Sequence, residues 1–216
     1  MPPTLAQSTP VPPLPPEILR AFSQLPIVRS FPKNTVILSQ GDRTDSLYVI
    51  LSGSVKFFVS DVSGRELVLG TAGAGEYFGE MVLDEGPRSA SVLTLEPSRF
   101  AIITKSEMRD ALATNPDFAL HLIVNLIRRV RALTENVRSL ALMDVYGRVA
   151  RLLLDLAVEQ DGKWVIAEPL TQREIASRIG ASREMVSRVF KDLAYGGYIS
   201  TRGRRIEINR KPPAAW

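Results

Sequence analysis

Three hydrophobic rhythms follow one another along the 216-residue chain. From Phe31 to about Ile103, short β-branched and aromatic runs are cut by Gly, Pro, Asp and Ser at intervals of about ten residues, the pattern of antiparallel strands. Thr35–Leu38, Leu47–Leu51, Val55–Val59, Leu67–Leu69, Ala90–Leu95 and Phe100–Ile103 are the expected strands, with Asp61-Val62-Ser63-Gly64 as a hairpin turn. That spacing predicts a barrel or sandwich. Gly41, Gly53 and Gly79 suit backbone positions of positive φ or close approach.

From Asp117 to Leu140 the period changes. Ile123, Leu126, Val130, Leu133, Val137 and Leu140 step alternately by three and four, with β-branched residues at one seam position and leucine at the other. This combination favours a parallel two-stranded coiled coil, so the stretch reads as a dimer helix; a single amphipathic helix packed on its own domain is the alternative. After Leu140 the phase shifts and Asp144 is placed to cap a new apolar helix, which puts the domain hinge there.

The third rhythm is that of short helices. Asp161-Gly162 is a turn and Trp164-Val165-Ile166 a short strand. Thr171 and Glu174 stand at capping-box spacing, and the helix they open ends at Gly180. Ser182 caps a second helix, Arg183 to about Tyr195, with Val186, Val189, Phe190 and Leu193 on its apolar face. Two short helices joined through a glycine make a helix-turn-helix. Tyr198-Ile199-Ser200 and Ile206-Glu207-Ile208, around the basic turn 201–205, add a wing.

Charge sharpens this picture. Residues 171–216 hold ten Lys/Arg against four acids, whereas the remainder holds 17 against 19, so a basic end sits on a near-neutral body and points to nucleic acid. Arg183, Glu184 and Arg188 fall in the first turns of the second helix, the part that enters the major groove. Arginine can bond guanine bidentately and glutamate can accept from cytosine N4, while an i,i+4 surface pair between Glu184 and Arg188 is the plainer alternative.

Composition excludes other classes. With no cysteine and one histidine, His121, the chain offers no thiolate metal site, iron–sulfur cluster or disulfide and little for haem or acid–base chemistry. Carboxylates are not clustered, so an enzyme is not expected. No apolar run approaches the ~20 residues of a membrane span and no signal peptide opens the chain, which predicts a cytoplasmic protein without a membrane partner. Seven prolines in residues 1–16 predict a disordered tail. The expected division is this tail, a β domain over 17–116, the dimerisation helix over 117–142 and a DNA-binding domain over 143–216.

Between two strands, residues 79–91 form the densest polar stretch: Gly79, Glu80, a short turn, then Arg88, Ser89 and Ala90. These can form an anion cradle, with Ser89 and Arg88 toward a phosphate and Glu80 toward a hydroxyl; a structural Glu80–Arg88 ion pair is the alternative. Gln40-Gly41-Asp42, residues 47–50, Ser52-Gly53-Ser54-Val55, residues 77–81 and Pro87-Arg88-Ser89-Ala90 resemble, in order and spacing, the cyclic-nucleotide-binding β-roll. Residues 182–188 and 142–148 resemble the recognition helix and hinge of the Crp/Fnr transcription regulators, and the likeness covers about Phe31 to Ile208.

The resemblance implies an α+β architecture: an N-terminal cyclic-nucleotide-binding antiparallel β-roll, a long dimerisation helix and a C-terminal winged helix-turn-helix. It implies a bacterial homodimer bound to palindromic double-stranded DNA of TGTGA-like half-sites, with RNA polymerase as a further partner. The implied effector residues are Gly79, Glu80 at the ribose 2′-hydroxyl, Met81, Arg88 and Ser89 at the cyclic phosphate, and Thr134. The implied DNA-facing set is Thr171, Gln172, Ser182, Arg183, Glu184, Ser187, Arg188, Arg202 and Arg204. Two departures stand out: the segment between Glu80 and Arg88 is slightly shorter than in the usual cassette, and Leu133 replaces the first of two hydroxyl residues that touch adenine. Cyclic AMP is the first expectation, with cyclic di-GMP, another ligand or ligand-free activity as alternatives. A cyclic-nucleotide module with a different output would lack the basic winged helix.

Overall fold

The computed structural model describes residues 13–23, 27–84, 86–167, 170–202 and 205–212. The strand-forming half contains β1 (Val28–Phe31), β2 (Val36–Leu38), β3 (Ser46–Ser52), β4 (Ser54–Ser60), β5 (Glu66–Gly73), β6 (Tyr77–Phe78), β7 (Ser91–Thr94) and β8 (Ser98–Thr104). They form two four-stranded sheets, ordered β1-β8-β3-β6 and β2-β7-β4-β5. Antiparallel registers set the core: Leu47 pairs with Ile103, Val49 with Ala101 and Ile50 with Phe100, and all six are fully buried. Because successive residues point to opposite faces, Leu47 and Val49 pack with the helices while Ile50 and Phe100 pack with Leu38, Val55 and Val92 of the other sheet.

Helices close the outer face. α1 (Pro16–Ser23) buries Ile18 and Phe22, and Leu14 is buried ahead of it with its amide bonded to Gly75 O at 2.8 Å. The expected tail therefore does not reach residue 16; residues 1–12 lie outside those described. α2 (Lys105–Thr114) starts at a capping box formed by Thr104 and Glu107. α3 (Pro116–Leu142) is one 27-residue helix, two residues longer at its C-terminal end than the heptad seam.

The remaining elements are α4 (Val145–Leu156), β9 (Val158–Gln160), β10 (Lys163–Ile166), α5 (Gln172–Ile179), α6 (Arg183–Tyr195), β11 (Ile199–Arg202) and β12 (Arg205–Ile208). Asp144 caps α4 as expected, accepting from the Gly147 amide at 2.7 Å. Val149, Leu153, Ile175, Val186 and Leu193 are the centre of the helical core, and a sheet ordered β11-β12-β10-β9 completes the module. The contacts divide the chain into two compact units, one of residues 13–59 and 69–132, the other of 60–68 and from 133 onward.

Candidate effector pocket and DNA-reading surface

The turn before the cassette requires glycine. Gly79 has φ +88°, and a Cβ there would lie 2.9 Å from Ser46 O and 3.1 Å from Arg88 Nη1. This lets the chain pass close to the Arg88 guanidinium, which donates from Nη1 to Gly79 O (2.8 Å), from Nε to Thr44 Oγ1 (2.7 Å) and from Nη2 to Ser46 O (2.6 Å) and Thr44 O (3.1 Å). Of the five guanidinium hydrogens, one on Nη1 is left. Arg88 is thus buried and holds the loop together, a role beyond the phosphate counter-charge expected for it. Ser89 and Met81 are exposed.

Glu80 has a different partner from the one weighed in the sequence. It opens a short 3-10 helix, Glu80–Leu83, and its Oε1 accepts from Arg129 Nη1 of α3 at 2.6 Å, so the ion pair is Glu80–Arg129 and not Glu80–Arg88. Arg129 also donates from Nη2 to Tyr77 O at 2.9 Å and lies over the Phe57 ring. The other Glu80 oxygen, Oε2, is buried with no hydrogen-bond partner among the described residues. A buried carboxylate oxygen is a strong hydrogen-bond acceptor.

Arg129 was not foreseen, because in the heptad pattern it reads as one more surface arginine. Its neighbours explain its position. Phe118, Leu122, Asn125 and Arg129 recur every three or four residues along α3 and face the β domain; Phe118, Leu122 and Asn125 are buried. Asn125 Nδ2 donates to Tyr77 Oη at 3.0 Å and contacts His121 Nε2 at 2.8 Å. Burial pushes the Tyr77 hydroxyl up to about 12.

The seam residues occupy another face of the same helix. Ile123, Leu126, Val130, Leu133, Val137 and Leu140 are between 38% and 65% exposed, and Ile127 and Leu120 extend the apolar stripe. Thr134 is exposed too and belongs to the second unit, whereas Gly79, Glu80, Met81, Arg88 and Ser89 belong to the first.

In the second unit the helix-turn-helix forms as its capping residues dictate. Thr171 Oγ1 accepts from the Glu174 amide at 3.1 Å while the Glu174 carboxylate accepts from the Thr171 amide at 2.7 Å. Gly180 ends α5 with φ +64°, and Ser182 Oγ caps α6 by accepting from Met185 N at 3.2 Å. Arg183, Glu184 and Arg188 are all exposed on the first turns of α6, opposite buried Val186, Val189 and Leu193; Gln172 and Ser187 are half-buried. The Glu184 carboxyl is held below its usual range by its own amide, then by Ser182 and the flanking arginines. Arg202 ends β11, and Arg204 lies outside the described residues. Arg205 is drawn into the sheet, pairing with Arg202 across the hairpin and donating to Gln160 Oε1 at 3.1 Å.

The profile of the Cyclic nucleotide-binding domain matches residues 28–115, and that of the Crp-like helix-turn-helix domain matches residues 147–212. A CRP-like cAMP-activated global transcriptional regulator of Mycobacterium tuberculosis is 35% identical over 184 residues, covering 83% of this chain and 82% of its own. The chain belongs to the Crp/Fnr family. The cAMP-activated global transcriptional regulator CRP of Escherichia coli is 33% identical over 189 residues, covering 84% and 89%. Among solved structures, the c-di-GMP responsive global regulator CLP of Xanthomonas campestris superposes with a TM-score of 0.77 at 30% identity, covering 88% of this chain and 97% of its own. This Crp/Fnr member is a transcription regulator carrying a cyclic-nucleotide-binding domain and a Crp-like helix-turn-helix. Among the described residues no helix is long and apolar enough to cross a membrane.

One prediction concerns its single histidine. Burial, and then Arg128, hold His121 below the usual histidine range, and charging the ring would turn the Asn125 contact into donor against donor. The unfolded chain therefore takes up a proton before the folded one, so stability is full above the unfolded value of about 6.5 and falls as pH drops through it. Urea unfolding at pH 7.5 and 5.5 checks this: His121→Gln is expected to lose less stability between the two than wild type.

Proposed function

We propose that the protein is a homodimeric regulator that senses a cyclic nucleotide, with cyclic AMP first, and binds a palindrome of TGTGA-like half-sites. The observation that carries the dimer is the row of six exposed seam residues along α3. Water-exposed apolar side chains at heptad spacing are covered when a second copy lays the same stripe against them. RNA polymerase and a cytoplasmic location belong to the same reading and rest on the family.

For the effector, Glu80 Oε2 supports a ligand hydroxyl. A ribose 2′-hydroxyl donating to it satisfies a buried acceptor, while Oε1 stays on Arg129. Gly79 and Arg88 would hold the phosphate side through the one guanidinium hydrogen that remains, with Ser89, Met81 and Thr134 completing the set proposed for the ligand. A second reading, cyclic di-GMP, is favoured by the likeness to the Xanthomonas regulator and by Leu133, which offers a base no hydrogen bond. Calorimetric titration with each nucleotide separates them. Cyclic AMP is expected to bind wild type, and Glu80→Gln is expected to weaken it roughly tenfold or more, since hydrogen bonds to a charged group contribute about 1.5–3 kcal/mol. Heat on cyclic di-GMP alone favours the second reading, and heat on neither favours regulation without these ligands.

At the DNA end, Arg183, Glu184 and Arg188 are assigned to base edges and Thr171, Gln172, Ser182, Ser187, Arg202 and Arg204 to the backbone and groove walls. Glu184→Ala is expected to cost about 1–3 kcal/mol on a TGTGA half-site and to relax the preference at one base pair. Fluorescence anisotropy over single-base variants of the palindrome measures it; an unchanged base preference contradicts the assignment.

A further inference from the structure

The elbow between α3 and α4 is two residues long, Met143 and Asp144, yet it is bridged from several sides. Glu135 Oε1 of α3 accepts from Arg151 Nη2 of α4 at 2.8 Å, sixteen residues along the chain, and also from Arg138 Nη2 at 2.6 Å. Arg151 is mostly covered, with 16% of its side chain exposed, whereas Arg138 is 53% exposed. Arg148 Nη1 reaches back to Leu140 O and Met143 O, both at 3.3 Å. In the same unit, a Cβ on Gly180 would lie 3.0 Å from Leu140 Cδ2, so the last seam leucine also abuts the turn of the helix-turn-helix.

We propose that Glu135 and Arg151 are positioning residues for DNA recognition: their ion pair fixes the angle at which the winged helix leaves α3, and with it the separation of two recognition helices in a dimer. The inference rests on the dimer reading, because only a pair of recognition helices has a separation to set. Two helices joined by two residues can rotate about the four dihedrals between them, and a hydrogen-bonded charge pair spanning the joint removes that freedom. Coulombic attraction between partly covered groups is screened less than at an open surface. Neither residue belongs to the DNA-facing set, so neither acts through a base or phosphate.

The experiment compares a two-half-site palindrome with a single half-site duplex by fluorescence anisotropy, with and without cyclic AMP, for wild type, Glu135→Gln, Arg151→Gln, the double variant and Arg138→Ala. Light scattering reports the dimer in each. Each single variant is expected to lose about fivefold on the palindrome, the double variant no more than either, and Arg138→Ala little, since that leaves the α3–α4 pair in place. Binding to the single half-site should stay as in wild type, which a merely destabilised domain would not allow. Dimeric variants with wild-type palindrome affinity, or equal losses on both duplexes, overturn the positioning role. A wild-type protein that scatters as a monomer overturns the dimer reading and this inference with it.

Discussion

One helix has to satisfy two surfaces at once. α3 is covered on one side by the β domain, through Phe118, Leu122, Asn125 and Arg129, and carries an apolar stripe on another, from Ile123 to Leu140. Neither face can be satisfied by moving the other, because 27 helical residues at about 1.5 Å each form one rod of about 40 Å. Polar contacts on the covered side fix the rotation of the rod: Asn125 to Tyr77 and Arg129 to Glu80 hold only one helical phase. That phase leaves the seam exposed.

The same contacts give the pocket a connection to the helix. Arg129 holds Glu80 Oε1, so a ligand hydroxyl at Oε2 would act on a carboxylate that α3 already carries. A ligand that binds one arrangement of this pair better than another shifts the helix by that difference and no more. In the second unit, Thr171, Glu174, Gly180 and Ser182 set the ends of two short helices, and the Glu135–Arg151 pair spans the elbow between α3 and α4.

What was legible in the sequence was whatever a period or a cap records. Six strands of the β domain, β10 and the two wing strands, the long helix, the Asp144 cap and both helices of the DNA-binding motif follow from alternation, heptads, turn residues and capping residues. Elements without a period were hidden. β6 has two residues, too few to alternate; β9 is exposed at all three positions and is defined by its partner strand alone; α2 buries only Met108, too thin a stripe to announce a helix. Within the site, motif spacing located Gly79, Glu80 and Arg88, but which arginine pairs with Glu80 is a matter of tertiary approach. Arg129 lies 49 residues away and Arg88 eight, and the distant one holds the carboxylate because carbonyls of Thr44, Ser46 and Gly79 occupy the near one. The sequence carries no record of carbonyl directions.

The exposed stripe on α3 is the surface a second copy would cover, and sedimentation of the purified protein at micromolar concentration tests that most directly. Wild type is expected to sediment at twice the chain mass of 23.8 kDa, and Val130→Glu, which would bury a charge between two helices at a cost of several kcal/mol, at the chain mass. A wild-type protein that sediments as a single chain, or a Val130→Glu variant that stays at twice that mass, contradicts it.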